Sequence, residues 1–139
     1  MLACCASSRF ATAMAAGRPY ASLAAVETAV SAVFESLTWD DVLEAMDGHP
    51  RIGARVAGQS AAEQSGVGDS SRAALAAGNL RYEEKFGHVF LICATGLSGE
   101  QMLAALHARL ENNPDTERSV ATAELRKITL LRARRAMDR

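Results

Sequence analysis

The sequence predicts an all-α fold, and three observations predict it. Alanine and leucine dominate while aromatic residues make up only 5% of the chain, a composition that favours helix. Apolar residues recur at three- and four-residue intervals through most of the chain. The segments so marked are separated by residues that start and stop helices: Ser and Thr before, Gly and Pro after. The expectation is one domain over residues 1–139, a compact helical bundle of about seven helices with one short irregular apolar segment.

Each element has its own justification. Residues 2–16 are Ala-rich and helical, and Gly17-Arg18-Pro19 stops them. Ser22 can cap a second helix whose apolar positions are Leu23, Val26, Val30, Val33, Phe34 and Leu37. Thr38 with Asp41 opens a short helix through Trp39, Val42, Leu43 and Met46. Asp47-Gly48-His49-Pro50-Arg51-Ile52-Gly53 cannot continue a helix and reads as a loop. Ser60-Ala61-Ala62-Glu63-Gln64 has the form of a capping box for a short helix ending near Gly66. Residues 70–86 give a longer helix closed by Gly87. Val89-Phe90-Leu91-Ile92-Cys93-Ala94 is an apolar run that periodicity alone leaves open between a buried strand and a buried helical piece. Ser98 with Gln101 forms a second capping box, and Met102, Leu103, Leu106 and Leu110 face inward from the helix behind it. After a turn at Asn112-Asn113-Pro114, a last long helix runs from about Asp115 to Arg135 and buries Val120, Ile128 and Leu131.

Composition narrows the function classes. Apolar residues are 49% and charged residues 22%, as in globular rather than disordered chains. A chain of this length can bury roughly two-thirds of its unfolded surface, enough for a core without disulfides or metal. The formal charge of -1 gives no global attraction to nucleic acid or to an anionic membrane. The C-terminal end is locally basic, with Arg126, Lys127, Arg132, Arg134, Arg135 and Arg139 against Asp138. It reads as a solvated helix end suited to the helix dipole or as a patch for phosphate. The cysteines Cys4, Cys5 and Cys93 suit neither a disulfide framework nor a zinc site, so reduced thiols in the cytoplasm are expected. No stretch approaches the roughly 20 apolar residues of a membrane span. Before Glu27 the chain carries Arg9 and Arg18 but no acid, a bias shared with organelle transit peptides.

Three histidines carry the possible chemistry. His107, between Leu103 and Leu110, reads as structural at the core edge of its helix. His88 follows Gly87 and reads as part of a helix terminus. His49 sits in the Gly- and Pro-bounded loop, where scaffolds mount reactive side chains, and a histidine there is a natural proton shuttle at neutral pH. Glu63 and Gln64 project from the first turn of their helix. The local role of Ser60 and Glu63 is to cap it. A carboxylate and an amide at that position could also hold the N–H groups of a polar heterocycle. By themselves these residues describe a helical domain with a histidine loop.

The ordered set of segments is more specific. His49-Pro50-Arg51-Ile52-Gly53, Ser60-x-x-Glu63-Gln64 and Tyr82-x-x-Lys85-Phe86-Gly87 follow one another along the chain. Phe90-Leu91-Ile92-Cys93-Ala94-Thr95-Gly96, Leu106-x-x-Arg109-Leu110-x-Asn112 and Glu124-x-x-Lys127-Ile128-x-x-x-Arg132 come next. Together they resemble the 2-oxo-4-hydroxy-4-carboxy-5-ureidoimidazoline (OHCU) decarboxylases over nearly the whole chain. The resemblance implies a cofactor-free, metal-free helical enzyme of urate breakdown that forms (S)-allantoin, usually as a homodimer. By motif position it makes His49 and Glu63 catalytic, and gives substrate contacts to Pro50, Ser60, Gln64, Phe90, Ile92 and Arg132. Phe90 to Ile92 would contribute backbone groups, and Arg126, Arg134 and Arg135 compete with Arg132 for the arginine role. Two side chains depart from the pattern: His88 stands where Phe is frequent, and Phe10 where Trp is expected. Relatives also carry about one more helix before the Cys4-Cys5 segment. A non-enzymatic helical module docking through its basic C-terminal helix is the competing function, and it predicts salt-sensitive binding.

Overall fold

Six α-helices and no strand are found among the described residues, which are 5–47 and 69–137 of a computed structural model. They are α1 (Ser8–Ala16), α2 (Leu23–Ser36), α3 (Trp39–Asp47), α4 (Asp69–Phe86), α5 (Gly99–Leu110) and α6 (Pro114–Met137). The helix expected to open at Ser60 lies outside the described residues. None of the described helices is long and apolar enough to cross a membrane. The chain divides into two units, residues 1–48 with 122–139 and residues 49–121.

In the first unit, α1 starts at Ser8, with the described residues 5–7 outside it, because Ser7 caps it. Ser7 is extended, and its hydroxyl accepts the Phe10 N–H at 3.2 Å. Gly17 ends the helix at a close approach: a Cβ there would lie 2.6 Å from the Tyr20 hydroxyl oxygen. That hydroxyl in turn donates to the Met14 carbonyl at 2.6 Å. Ser22 caps α2 by accepting the Ala25 N–H at 3.1 Å. Thr38 and Asp41 cap α3 reciprocally, Thr38 N–H to the Asp41 carboxylate at 2.9 Å and Asp41 N–H to the Thr38 hydroxyl at 3.2 Å. The Thr38 amide is the main cause of an Asp41 carboxyl held below its ordinary value; burial opposes it, and the Thr38 hydroxyl and the Arg9 charge add to it.

The α1 helix packs on α2 and α3. Phe10 meets Phe34 edge-on at 5.7 Å, and Met14, Val26, Val30, Val42 and Met46 are buried with them. Each such side chain stabilises the fold by about 1.5–3 kcal/mol on burial. Leu23 and Val33 of α2 and the Leu37 that follows it are only half-buried.

In the second unit α4 packs along α5, and Gly78 permits the close contact: a Cβ there would meet Leu106 Cδ2 at 2.4 Å. Leu75, Tyr82, Phe90, Ile92, Ala94, Met102 and Leu106 form one buried cluster, with Leu103 and Leu110 packed against it. Gly87 closes α4 in the left-handed region, φ 79°, its N–H bonded to the Glu83 carbonyl at 2.8 Å. The Ser98–Gln101 capping box opens α5 with both reciprocal bonds present, at 2.8 and 3.1 Å. The α6 helix begins one residue before the expected Asp115. Asn113 accepts the Thr116 N–H at 2.8 Å, and Pro114 takes the first helical position, where its missing N–H costs nothing. The buried stripe on α6 runs through Glu117, Ala121, Leu125 and Ile128, while the expected Val120 and Leu131 flank it half-buried.

Candidate active site

The apolar run after α4 is neither strand nor helix. It is framed by two glycines with positive φ, Gly87 at 79° and Gly96 at 82°. Beyond it the chain turns through Gly96, with the Leu97 N–H on the Ala94 carbonyl at 3.0 Å. Phe90, Ile92 and Ala94 all enter the buried cluster. Leu91 between them is buried as well. A buried run outside helix and ladder must find other partners for its peptide groups. The Leu91 carbonyl finds Arg109, whose Nη1 donates to it at 2.7 Å.

Arg109 comes from the inward face of α5, one turn beyond Leu106, and is 7% exposed. Its guanidinium carbon lies 4.5 Å from the Phe90 ring centroid. Its Nε–H donates to Glu117 Oε1 at 2.7 Å, and Nη2 stands 2.5 Å from the same oxygen without hydrogen-bond alignment of its own. Glu117 is wholly buried. Its Oε1 also accepts the Tyr82 hydroxyl at 2.6 Å, and its Oε2 accepts the Asn112 amide at 3.1 Å. Burial first, and the hydrogen bond to Glu117 second, hold the Tyr82 hydroxyl far above its ordinary pKa. It therefore stays protonated and remains a donor at neutral pH. A buried carboxylate is tolerated only when paired and fully hydrogen-bonded, and the three donors around Glu117 meet that condition.

The sequence carries a signal of this network that the helical periodicity of apolar residues alone does not reveal. Arg109 lies three residues after Leu106 and seven after Met102, on the apolar face of α5. Glu117 lies four before Ala121 and eight before Leu125, on the apolar face of α6. Opposite charges, each on the inward stripe of its own helix, are the pattern of a buried pair.

The residues expected at the site fall as follows. His49, Pro50, Ser60, Glu63 and Gln64 lie outside the described residues. Phe90 and Ile92 are described and are 1% and 7% exposed. Their side chains are in the core, so a ligand would meet this segment through its backbone. Arg132 stands half-buried on α6, in the other unit. Of the competing arginines, Arg134 is exposed and engaged by Glu27, its Nε and Nη2 donating at 3.2 and 3.1 Å. Lys127, also exposed, pairs with Glu124 at 2.5 Å. His88 stacks edge-on against Tyr82 at 5.4 Å, its Nδ1 3.1 Å from the Val89 carbonyl, so it flanks the aromatic cluster. The expectation for His107 fails: its side chain is exposed, because the inward stripe of α5 runs through Met102, Leu106 and Arg109.

The geometry accounts for an anchored, buried segment, and comparison with known proteins identifies what it belongs to. The family model described as OHCU decarboxylase matches residues 1–134. This chain belongs to the OHCU decarboxylase family. It is 39% identical over 141 aligned positions to the uric acid degradation bifunctional protein TTL of Arabidopsis thaliana, covering 93% of this chain and 44% of that protein. It is 32% identical to the 2-oxo-4-hydroxy-4-carboxy-5-ureidoimidazoline decarboxylase of Amia calva, covering 88% and 76%. The chain thus spans less than half of the Arabidopsis relative and about three-quarters of the Amia one. A crystal structure of OHCU decarboxylase in the presence of (S)-allantoin superposes with a TM-score of 0.88 at 38% identity, over 99% of this chain and 96% of that one. A crystal structure of (S)-allantoin synthase, 21% identical with a TM-score of 0.63, covers 92% of this chain and 42% of that one and shares the fold. The all-helical expectation is borne out by these matches.

Proposed function

We propose that this chain decarboxylates OHCU to (S)-allantoin in urate breakdown, without a cofactor, with residues 1–139 acting as one domain. The observation that carries the reading is the near full-length likeness to an OHCU decarboxylase solved in the presence of (S)-allantoin. The names of the Arabidopsis and Amia relatives support the same chemistry.

In this reading the bond between the ring carbon and its carboxylate breaks and CO2 leaves. The electron pair left on the ring carbon spreads over the neighbouring C=N and carbonyl groups, and a proton added to one face completes (S)-allantoin. His49 takes part in that proton transfer, and Glu63 sets its orientation and protonation. Pro50, Ser60, Gln64 and Arg132 hold the substrate, with Gln64 and Arg132 supplying amide and charge-assisted hydrogen bonds. Backbone groups of Phe90 to Ile92 contribute preorganised dipoles. The half-buried position of Arg132 suits such a role better than the exposed position of Arg134. We place the enzyme in the cytoplasm as a homodimer, acting on a small molecule and on neither nucleic acid nor membrane. The odd count and spacing of Cys4, Cys5 and Cys93 accord with a reducing compartment.

The test is handedness. Urate is oxidised and its first product hydrolysed in situ while circular dichroism is followed. A fast rise of the (S)-allantoin signal is expected with the protein, falling by at least about a hundredfold in His49→Ala and in Glu63→Ala. Decay no faster than the blank, from a folded protein, refutes the function. Full activity in a folded His49→Ala refutes the site.

A further inference from the structure

We propose that Arg109 is a positioning residue of this active site. It sets the backbone of Phe90 to Ile92 by holding the Leu91 carbonyl, and Glu117 is the lock that aims it. The inference rests on the proposed decarboxylase reading, in which that backbone meets the substrate.

Three observations lead there. First, the segment is in neither helix nor strand and has no strand beside it among the described residues, so its peptide orientation is not fixed by a helix or a ladder. Second, the middle carbonyl of the three residues is claimed by one guanidinium, at 2.7 Å, and the ring before it lies against the same guanidinium at 4.5 Å. The peptide group of Leu91 and Ile92 thus has its oxygen fixed, and planarity fixes the direction of the Ile92 N–H. Third, the guanidinium is held along its other edge as well. Glu117 takes its Nε–H, and Tyr82 and Asn112 fix Glu117 from two sides. A packing role alone needs an apolar side chain of Arg109's size. A fork that binds a carboxylate with one edge and a carbonyl with another needs a guanidinium.

Lysine at this position keeps the charge and much of the length, but a single ammonium cannot serve Glu117 and Leu91 in the same geometry. Arg109→Lys should therefore raise KM for (S)-allantoin formation on the order of tenfold, the value of about one charge-assisted hydrogen bond, with kcat changed less. Tyr82→Phe removes one donor to Glu117, but the Asn112 amide and the Arg109 Nε–H still hold the carboxylate, so the Arg109–Leu91 bond stays in place. It should lower the melting temperature and leave KM within about twofold. This split separates positioning from stability, since a merely structural network moves both variants together.

A readout independent of turnover is the Ile92 amide resonance in 15N-labelled protein, together with titration by (S)-allantoin. In Arg109→Lys the resonance should shift and the affinity for (S)-allantoin fall. In Tyr82→Phe both should stay as in the wild type. Should Arg109→Lys not fold, Glu117→Gln replaces it. That variant keeps the shape and weakens the hold on Arg109, and it should move KM and the Ile92 resonance in the same direction by less. An active wild type with a folded Arg109→Lys at wild-type KM overturns this inference and leaves the decarboxylase reading standing. A folded wild type that forms no (S)-allantoin above the blank overturns both.

Discussion

Gly78 offers a test in which two effects of opposite sign compete. It is buried in the middle of α4, and replacing a helical glycine by alanine normally gains about 1 kcal/mol from backbone entropy. Here the new Cβ would lie 2.4 Å from Leu106 Cδ2 and 3.3 Å from its Cγ. Carbon atoms in contact prefer about 3.5–4.0 Å, so Leu106 or the helix must give by more than an ångström. Leu106 is wholly buried in a cluster with Leu75 and Met102, which leaves its side chain no open volume to enter. Overpacking costs about 1–3 kcal/mol; an overlap of more than an ångström in a filled cluster belongs to the upper part of that range, about 2–3 kcal/mol, so Gly78→Ala should be destabilising by roughly 1–2 kcal/mol net. That corresponds to about 3–8 °C in Tm. Helix unfolding followed by circular dichroism in heat and in urea measures it. A double-mutant cycle isolates the cause. Leu106→Ala alone should cost about 2–5 kcal/mol, and the alanine at position 78 should fill part of the cavity left behind. The coupling should reach about 1 kcal/mol or more in the favourable direction. A Gly78→Ala protein as stable as the wild type, or a cycle additive within about 0.5 kcal/mol, would refute the reasoning.

Two further outcomes follow from local geometry. Gly96→Ala places a Cβ at φ 82°, where nothing within 4 Å opposes it, so only the backbone term counts and the loss should be about 1–2 kcal/mol; a melting curve unchanged from wild type contradicts this. Asp41 is held below its ordinary value chiefly by the Thr38 amide. Its contribution is therefore complete above the ordinary carboxylate pKa and is lost as pH falls through the lower folded value. The difference in Tm between wild type and Asp41→Asn should be largest near pH 7 and shrink below about pH 4. A difference that grows on acidification reverses the sign and refutes it.

Much of the fold was legible because helix ends are written locally. Ser22, Thr38 with Asp41, Ser98 with Gln101, and Gly87 each act through residues no more than four positions away, and each was read from that spacing. Boundaries went astray where two candidate caps compete. Ser7 starts α1 inside an Ala-rich stretch that propensity alone extends to residue 2, and Asn113 with Pro114 starts α6 one residue earlier than Asp115 suggests. The apolar run could not be assigned because its conformation depends on a partner 18 residues away, Arg109. His107 differs from its expected position for a related reason. A leucine on either side suggests an inward position, but the stripe of α5 passes through Arg109, and a charged residue does not announce itself as core. Of the expected site, Phe90, Ile92 and Arg132 are placed here, and the segment carrying His49 and Glu63 lies outside the described residues.

The closed arrangement of Tyr82, Arg109 and Glu117 also constrains how the sequence can drift. Removing Glu117 alone strands a buried guanidinium, and removing Arg109 alone strands a buried carboxylate; breaking a buried pair in this way costs about 3–5 kcal/mol, a large share of the 5–15 kcal/mol that holds a typical domain folded. An apolar pair of matching shape could be as stable as the ionic one, yet every single-step path to it crosses that deficit. The Leu91 carbonyl raises the barrier further, because an apolar replacement leaves it without its donor. Lineages would therefore change these positions together or not at all, so that substitutions at one helix end are inherited jointly with those at another.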